Sequence, residues 1–307
     1  MTRTHEQRLG LSFEVLEGLS VGDALGEALS YNHYRVRDLD DFSAFKPGTV
    51  RYTDDTAMAL VIWRALAMHG SIDSDQLANS FAMEYLVSPD RGYGRMARRI
   101  LEEIGAGGNW EQLSPSAFGS GSFGNGAAMR VGPLGAYFAS DIESIPEQAA
   151  ASARVTHFHP EGIAGAIAVA LAVATAVESR GMDPTTCIER IWDSVLALTP
   201  ESEVRKRLTE CRGELDHFSV ARMVGNGAEI SAQDTVPFCI WNACRCIDDY
   251  REAFFSTVEV GGDCDTNAAI VGSIVTAFSG VSGIPEDWHR VRESLPISPP
   301  TKSDKPC

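Results

Sequence analysis

Residues 53–67 read TDDTAMALVIWRALA, a short cluster of hydroxyl and carboxylate side chains that opens directly into an apolar run. Residues 261–278, GGDCDTNAAIVGSIVTAF, repeat this arrangement near the other end of the chain. Asp and Thr immediately before an apolar run are typical of a helix N-terminus, where their oxygens accept hydrogen bonds from free backbone N–H groups. Both stretches therefore predict the beginning of a buried helix.

Helix signals also dominate between and around these stretches. No polar/apolar alternation is long enough to indicate a strand, and no strand–helix–strand rhythm or linker divides the chain. The Ala-rich run 164–176 is apolar all round, which predicts a buried helix. We predict an all-α fold, a single compact multi-helix domain over residues 6–290, with a Pro/Ser/Lys-rich, disordered tail at 297–307. The predicted helices are 6–30, 54–69, 74–87, 93–105, 124–138, 143–155, 160–179, 183–198, 201–211, 235–247, 249–257 and 264–280.

The charge and cysteine content exclude several classes of protein. A net charge of −16 leaves no basic stripe to neutralise nucleic-acid phosphates, so we expect no nucleic-acid partner. We expect no membrane span and, because residues 1–10 are polar, no signal peptide. Seven scattered cysteines are typical of reduced thiols, so we expect a cytoplasmic protein. Cys239, Cys244 and Cys246 lack a zinc-site spacing, and we interpret them as core residues.

The two acidic clusters suggest a metal site. Four aspartates, at positions 54, 55, 263 and 265, would repel one another if the fold brought them together, unless a cation lay between them. Hard divalent cations take carboxylate and hydroxyl oxygens as ligands. We therefore hypothesise that the two helix starts meet and hold one or two Mg²⁺ or Mn²⁺ ions. Helix capping is the alternative for either cluster taken alone, at roughly 1 kcal/mol per cap.

Two further carboxylates, Asp23 and Glu27, are four residues apart and share one face of the first predicted helix. Gly22 and Gly26 lie beside them and leave room for a close approach. One carboxylate could act as general acid or base while the other orients it or binds water. An exposed acidic face is the alternative.

A Gly/Ser-rich loop, GSGSFGNGAAMR at residues 119–130, runs into a predicted helix. Its glycines allow tight turns that expose consecutive N–H groups, and a helix start favours anions. The loop is not a P-loop, because no Lys-Ser/Thr pair follows the last glycine. We interpret it as a phosphate-binding loop that includes Asn125, with a plain flexible loop as the alternative.

Two other polar segments could contact a ligand. His157 and His159 lie between two predicted helices, and we expect a ligand-contacting or loop-bracing role for His157 and a structural role for His159. Arg91, Tyr93 and Arg95 lie in a second glycine loop, DRGYGR, where ligand contact and surface ion pairing are equally compatible with the sequence.

The sequence resembles the ADP-ribosylglycohydrolases over roughly residues 6–290. The resemblance rests on motifs that occur in the family's order: GDALG at 22–26, TDDT at 53–56, SFGNGAAMR at 122–130, TH at 156–157 and GDCDTN at 262–267. It implies a single all-α domain with a metal-binding cleft and a binuclear Mg²⁺ centre, with Mn²⁺ possible. It also implies hydrolysis of the glycosidic bond between ADP-ribose and an acceptor.

The same resemblance implies roles for individual residues. The implied metal ligands are Thr53, Asp54, Asp55, Asp263, Asp265 and Thr266, and the implied catalytic residues are Glu27, Asp54 and Asp265. The diphosphate and distal ribose would be bound by Ser122, Phe123, Gly124, Asn125 and Gly126, with His157 on the adenosine side.

This chain departs from the family pattern at two places. Many relatives carry a glutamate near the position of Ser30, where Glu27 is the nearest candidate here. Phe123 stands where an aromatic residue with a hydroxyl often occurs, so stacking is retained and a hydrogen bond is lost.

The expected function is metal-dependent removal of ADP-ribose from a modified protein side chain, with arginine favoured, by a monomer. Two alternatives stay open: a non-catalytic ADP-ribose-binding or structural relative, and a metal-dependent phosphoesterase.

Overall fold

The computed structural model describes residues 3–30, 45–213 and 215–298. Within these ranges the chain is helical and has only two isolated β-bridges, so the all-α prediction is confirmed. The helices are α1 His5–Ser30, α2 Asp54–His69, α3 Ser74–Val87, α4 Arg95–Gly105, α5 Trp110–Ser116, α6 Gly126–Met129, α7 Gly132–Tyr137, α8 Ile145–Arg154, α9 Pro160–Glu178, α10 Pro184–Leu198, α11 Glu203–Cys211, α12 His217–Val224, α13 Ala232–Arg245, α14 Tyr250–Glu259, α15 Cys264–Ser279 and α16 Glu286–Val291.

Helices α1 and α15 form the most extensive contact in the described fold. They run antiparallel, and three glycines of α1 spaced one turn apart allow their backbones to touch. A Cβ atom at Gly22 would lie 2.1 Å from the Ala268 carbonyl oxygen, and one at Gly26 would lie 2.6 Å from that of Cys264. The room that the sequence predicted beside Gly22 and Gly26 is therefore filled by α15. As a result, the second half of α1 lies against the beginning of α15.

Helix α9 is the central apolar helix that the Ala-rich run predicts. It packs against α7, α8, α10, α13 and α15. Its length and composition alone would also suit a membrane span, but 83% of the relevant window is buried inside the fold. Its apolar surface is thus used for helix packing.

Several boundaries differ from the sequence prediction. The single helix predicted over 124–138 is two short helices, α6 and α7. Pro133, near the beginning of α7, has no backbone N–H and so cannot donate the hydrogen bond that would continue α6. Helices α5, α12 and α16 were not predicted; each has only six to eight residues. Cys239, Cys244 and Cys246 are buried, as expected. The tail predicted at 297–307 lies almost entirely outside the described residues.

Candidate functional site

Asp23, on the second half of α1, fixes the beginning of α2. Its side chain is fully buried and accepts hydrogen bonds from the backbone N–H groups of Thr53 and Thr56, each at 3.0 Å, and from the Thr56 hydroxyl. Burial raises the pKa of Asp23 to about 6, although these hydrogen bonds act in the opposite direction. Thr53 is the N-cap and accepts from the N–H of Asp55. Because Thr53 and Asp23 cap α2, the carboxylates of Asp54 and Asp55 are left for another role.

The second acidic turn is built around Asp263, the residue that precedes α15. Its side chain makes no capping hydrogen bond, and instead Oδ2 accepts a 2.7 Å hydrogen bond from Asn125 Nδ2. Gly262 has φ +83°, and a Cβ there would lie 2.0 Å from the Asn226 carbonyl oxygen. Residue 262 therefore has to be a glycine for the backbone of this turn to take its observed conformation. As at α2, the carboxylates are not used for capping.

The two turns meet at one end of a single cavity of about 670 Å³. Asp54, Asp55, Asp263 and Asp265 all line it, together with Thr266. Burial, followed by the other carboxylates, raises the pKa of Asp54 and Asp55 well above the usual range and that of Asp263 to about 7. The pKa of Asp265 is raised to about 6, chiefly by burial and then by the charge of Asp23. Negative charge is thus concentrated and poorly solvated here.

The acidic end offers oxygen atoms of the kind that a hard divalent cation binds. Asp55 Oδ1 is buried without a hydrogen-bond partner, while Oδ2 accepts from the Thr53 hydroxyl at 3.1 Å. A buried, unpartnered carboxylate oxygen is costly unless a cation or water satisfies it. Within the described residues, no three or more His, Cys, Asp or Glu side chains are arranged closely enough to hold a metal ion as they stand.

The Gly/Ser loop lines the same cavity. It is held by backbone pairing with the segment before α13: Ala232 N–H donates to the Phe123 carbonyl at 2.9 Å, and Asn125 N–H to that of Ile230 at 3.3 Å. The helix that follows the loop, α6, has only four residues. Its dipole is correspondingly small, so it adds less to anion binding than the start of the longer helix predicted over 124–138 would. Backbone N–H groups of the loop remain as polar donors, whereas the Asn125 side-chain amide donates to Thr235 and Asp263.

His157 lies beneath this loop. Its Nδ1 is 2.8 Å from the Thr156 hydroxyl, and a Cβ at Gly126 would lie 2.8 Å from its ring. Burial, and secondarily Arg130, lowers the pKa of His157 to about 3, so the imidazole is neutral. His159 accepts from the Glu161 N–H and caps α9, and its ring packs edge-on against Phe123 at 5.5 Å. His157 thus braces and lines the cavity, while His159 has the structural role that we expected.

Three of the exposed side chains that line the cavity are large and apolar and form what we call its rim, next to the exposed lining residues Arg95 and Glu229. Phe118, Phe123 and Ile230 line it with 62%, 43% and 62% exposure. Phe118 and Ile230 are also the only described non-glycine residues with positive φ, at 51° and 54°. Strained backbone of this kind concentrates at binding sites. Sequence reasoning missed both residues, because neither belongs to a recognisable motif.

Two predicted residues lie beside the cavity and do not line it. Thr53 is behind Asp55, to which its hydroxyl donates. Glu27, half-buried on α1, has its pKa raised by burial and by the charge of Asp263. Glu27 is therefore next to the second acidic turn, on the side of α1 rather than in the cavity wall.

Arg130 is a residue of the site that sequence reasoning did not single out. Its guanidinium is fully buried, donates to the Ser152 carbonyl at 2.9 Å and lies 4.4 Å from the Phe81 ring centre. Burial lowers its pKa to about 9, and the charge of Asp54 acts against this. The available signal was a lone arginine in the apolar run 127–131. It supplies buried positive charge near the first acidic turn.

Of the second glycine loop, Arg95 lines the cavity and Arg91 supports it. The Arg91 carbonyl accepts a 2.7 Å hydrogen bond from the Asp54 N–H, and its guanidinium pairs with Glu293. Tyr93 is buried.

Comparison with known proteins identifies the family. The profile of the ADP-ribosylglycohydrolase family matches residues 8–298. ADP-ribosylhydrolase ARH3 of Xenopus tropicalis is 30% identical, with 89% of this chain and 88% of the relative covered. ADP-ribosyl-[dinitrogen reductase] glycohydrolase of Rhodospirillum rubrum is 28% identical, with 92% and 89% covered.

A solved structure, titled ADP-ribosylglycohydrolase-related protein complex, superposes with a TM-score of 0.68. Its identity to this chain is 24%, and 93% of each chain is covered. At this identity the match supports the shared fold.

Proposed function

This chain belongs to the ADP-ribosylglycohydrolase family, and from that premise we propose that it is a divalent-metal-dependent hydrolase. Its substrate is an ADP-ribosylated protein, with arginine as the favoured acceptor. The observation that carries the proposal is the meeting of two acidic turns at one end of a cavity that the Gly/Ser loop also lines.

The proposed metal ligands are the carboxylates of Asp54, Asp55, Asp263 and Asp265 with the hydroxyls of Thr53 and Thr266. All are hard oxygen donors, which suits two Mg²⁺ ions or Mn²⁺. Bound divalent ions would supply positive charge that holds ribose hydroxyls and lowers the pKa of a water. The unpartnered Asp55 Oδ1 supports this assignment.

The rest of the cavity suits an ADP-ribose moiety. The rim residues Phe118, Phe123 and Ile230 provide apolar surface against which an adenine ring would stack. The loop Ser122–Gly126 provides backbone N–H donors for the diphosphate and distal ribose, and within it Asn125 donates to Asp263 and so holds the loop next to the second acidic turn. Neutral His157 contributes hydrogen bonding without charge.

The reaction breaks the bond between ribose C1 and the acceptor atom, and water adds to C1. Positive charge develops on the ribose ring, and the carboxylates of Asp54 and Asp265 stabilise it electrostatically. The leaving nitrogen or oxygen takes a proton, which Glu27, beside the cavity, would supply through one bridging water and regain from the water that adds to C1. The raised pKa of Glu27 supports this role, because it favours the protonated form closer to neutral pH.

An acceptor panel tests the proposal. Arginine-linked and serine-linked ADP-ribosylated proteins are incubated with the wild type, with Mg²⁺ or chelator, and with Asp54→Ala and Asp263→Ala as controls. We expect intact ADP-ribose, released faster from arginine, and no release with chelator or either variant.

The other outcomes discriminate between functions. Release of AMP would identify a phosphoesterase, and ADP-ribose binding without any turnover would identify a non-catalytic binder. Faster release from serine would overturn the arginine preference alone.

A further inference from the structure

The cavity contains one basic side chain that the proposed function has not used. Five acidic residues line the cavity: Asp54, Asp55, Glu229, Asp263 and Asp265. Among the described lining residues Arg95 is the only Lys or Arg. In a protein of net charge −16, a diphosphate entering this cavity meets repulsion, which the divalent ions proposed above would offset at the acidic end and a basic side chain would offset elsewhere.

Arg95 differs from the other arginines of its segment. Arg91 pairs with Glu293, Arg98 donates to the Tyr93 carbonyl at 2.6 Å, and Arg99 pairs with Glu103 at 2.8 Å. Arg95 is exposed to solvent and makes no hydrogen bond or ion pair with any described residue. Its charge is therefore available to a molecule in the cavity.

The backbone at Arg95 favours the same kind of ligand. Arg95 is the first residue of the eleven-residue helix α4, whose N-cap is Gly94, without a side-chain cap, and whose first turn has no acidic residue. A cation at a helix N-terminus is unfavourable, whereas an anion there is stabilised by the dipole and the free N–H groups. Met96 and Ala97 of this turn also line the cavity.

We propose that Arg95 is a substrate-binding residue that binds the diphosphate of the ADP-ribose moiety, in addition to the loop Ser122–Gly126. The inference rests on the proposed function, which supplies the ligand. The diphosphate is favoured over an acidic group of the acceptor protein because it is the anion present in every ADP-ribosylated substrate. It also carries two negative charges into the cavity.

The test is calorimetric binding of ADP-ribose and of adenosine, which lacks the diphosphate, at fixed Mg²⁺ and ionic strength. Arg95→Ala should weaken ADP-ribose binding by about tenfold, the range of a charge-assisted hydrogen bond. Arg95→Lys should restore part of the affinity, and adenosine affinity should not change. Arg99→Ala is the matched control, because Arg99 lies on the same helix, outside the cavity, and should leave both affinities unchanged.

Three results would overturn the inference. Arg95→Ala could leave ADP-ribose affinity unchanged, or weaken ADP-ribose and adenosine equally, which indicates a structural role. It could also raise KM for a modified protein without affecting free ADP-ribose, which assigns Arg95 to the acceptor. In all three cases, binding of ADP-ribose and its release from substrate by the wild type would still support the proposed function. A wild type that neither binds nor releases ADP-ribose would instead overturn the proposed function, and the assigned ligand of Arg95 with it.

Discussion

The two ends of the cavity are built in opposite ways. The acidic end stands on the first turns of α2 and α15, two sixteen-residue helices locked against α1. The rim is formed by loop residues, among them Phe118 and Ile230, which have strained backbone and exposed apolar side chains. The residues that we propose to carry the chemistry are on helices packed against α1 or on α1 itself, whereas the residues that would recognise the ligand, apart from Arg95 on α4, are on loops.

This difference separates the effects that substitutions should have. A change at the acidic end should reduce turnover and the response to metal, because it alters charge at the reacting atoms. A change at the rim should reduce affinity and leave the chemical step intact. Each prediction below tests that division.

The largest effect is expected for Asp55→Asn. It removes one negative charge and replaces the unpartnered buried oxygen, so activity should fall by more than about a hundredfold, beyond the loss typical of residues that only support a metal ligand. The rise in Tm on adding Mg²⁺ should disappear as well. Asp73→Asn, at the N-cap of α3, is the control and should retain both properties. An active, Mg²⁺-responsive Asp55→Asn would contradict the division.

The second prediction concerns the frame that holds the acidic end. Gly22→Ala places a methyl group 2.1 Å from the Ala268 carbonyl oxygen, so the free energy of unfolding should fall by about 3 kcal/mol. Gly10→Ala, on the same helix, meets nothing within 4 Å and should be neutral or stabilising. Urea unfolding measures both. Equal stabilities would show that α1 and α15 do not need this close contact.

The third prediction uses the raised pKa values of the acidic end. Asp23 and Asp265 titrate at about 6 and Asp263 at about 7, all above the ordinary value for aspartate. The folded state therefore binds these protons more tightly than the unfolded state, and stability is lost as pH rises through these values. With chelator, Tm should fall by at least about 3 °C between pH 5 and pH 8. Mg²⁺ should restore much of the loss at pH 8, and a Tm independent of pH would contradict the electrostatic account.

The smallest effect is expected at the rim. Phe123→Ala should raise KM by about fivefold through lost stacking, with kcat unchanged. Phe218→Ala is a close control, because the two side chains are 43% and 46% exposed and Phe218, on α12, does not line the cavity. A fall in kcat for Phe123→Ala would mean that the rim also positions the reacting atoms.

The two ends also differ in how far the sequence predicts them. Asp54 and Asp263 stand before long apolar runs, so local capping and periodicity were sufficient to place both helix starts. The role of Asp23, which caps α2 from another helix, depends on a tertiary contact and could not be read locally. Phe118 and Ile230 reach the rim through positive φ values, which no side-chain pattern encodes. The sequence shows Arg130 as a charged residue within an apolar run, but it does not show which residues Arg130 contacts.

Equilibrium titration with Mn²⁺ tests the central claim most directly, because binding requires both acidic turns in one place. The wild type, Asp54→Ala from the first turn and Asp263→Ala from the second are compared without substrate. We expect the wild type to bind Mn²⁺ and each variant to lose at least about tenfold in affinity, although one turn stays intact in each. Wild-type affinity in either variant, or no binding by the wild type, would contradict a shared metal centre.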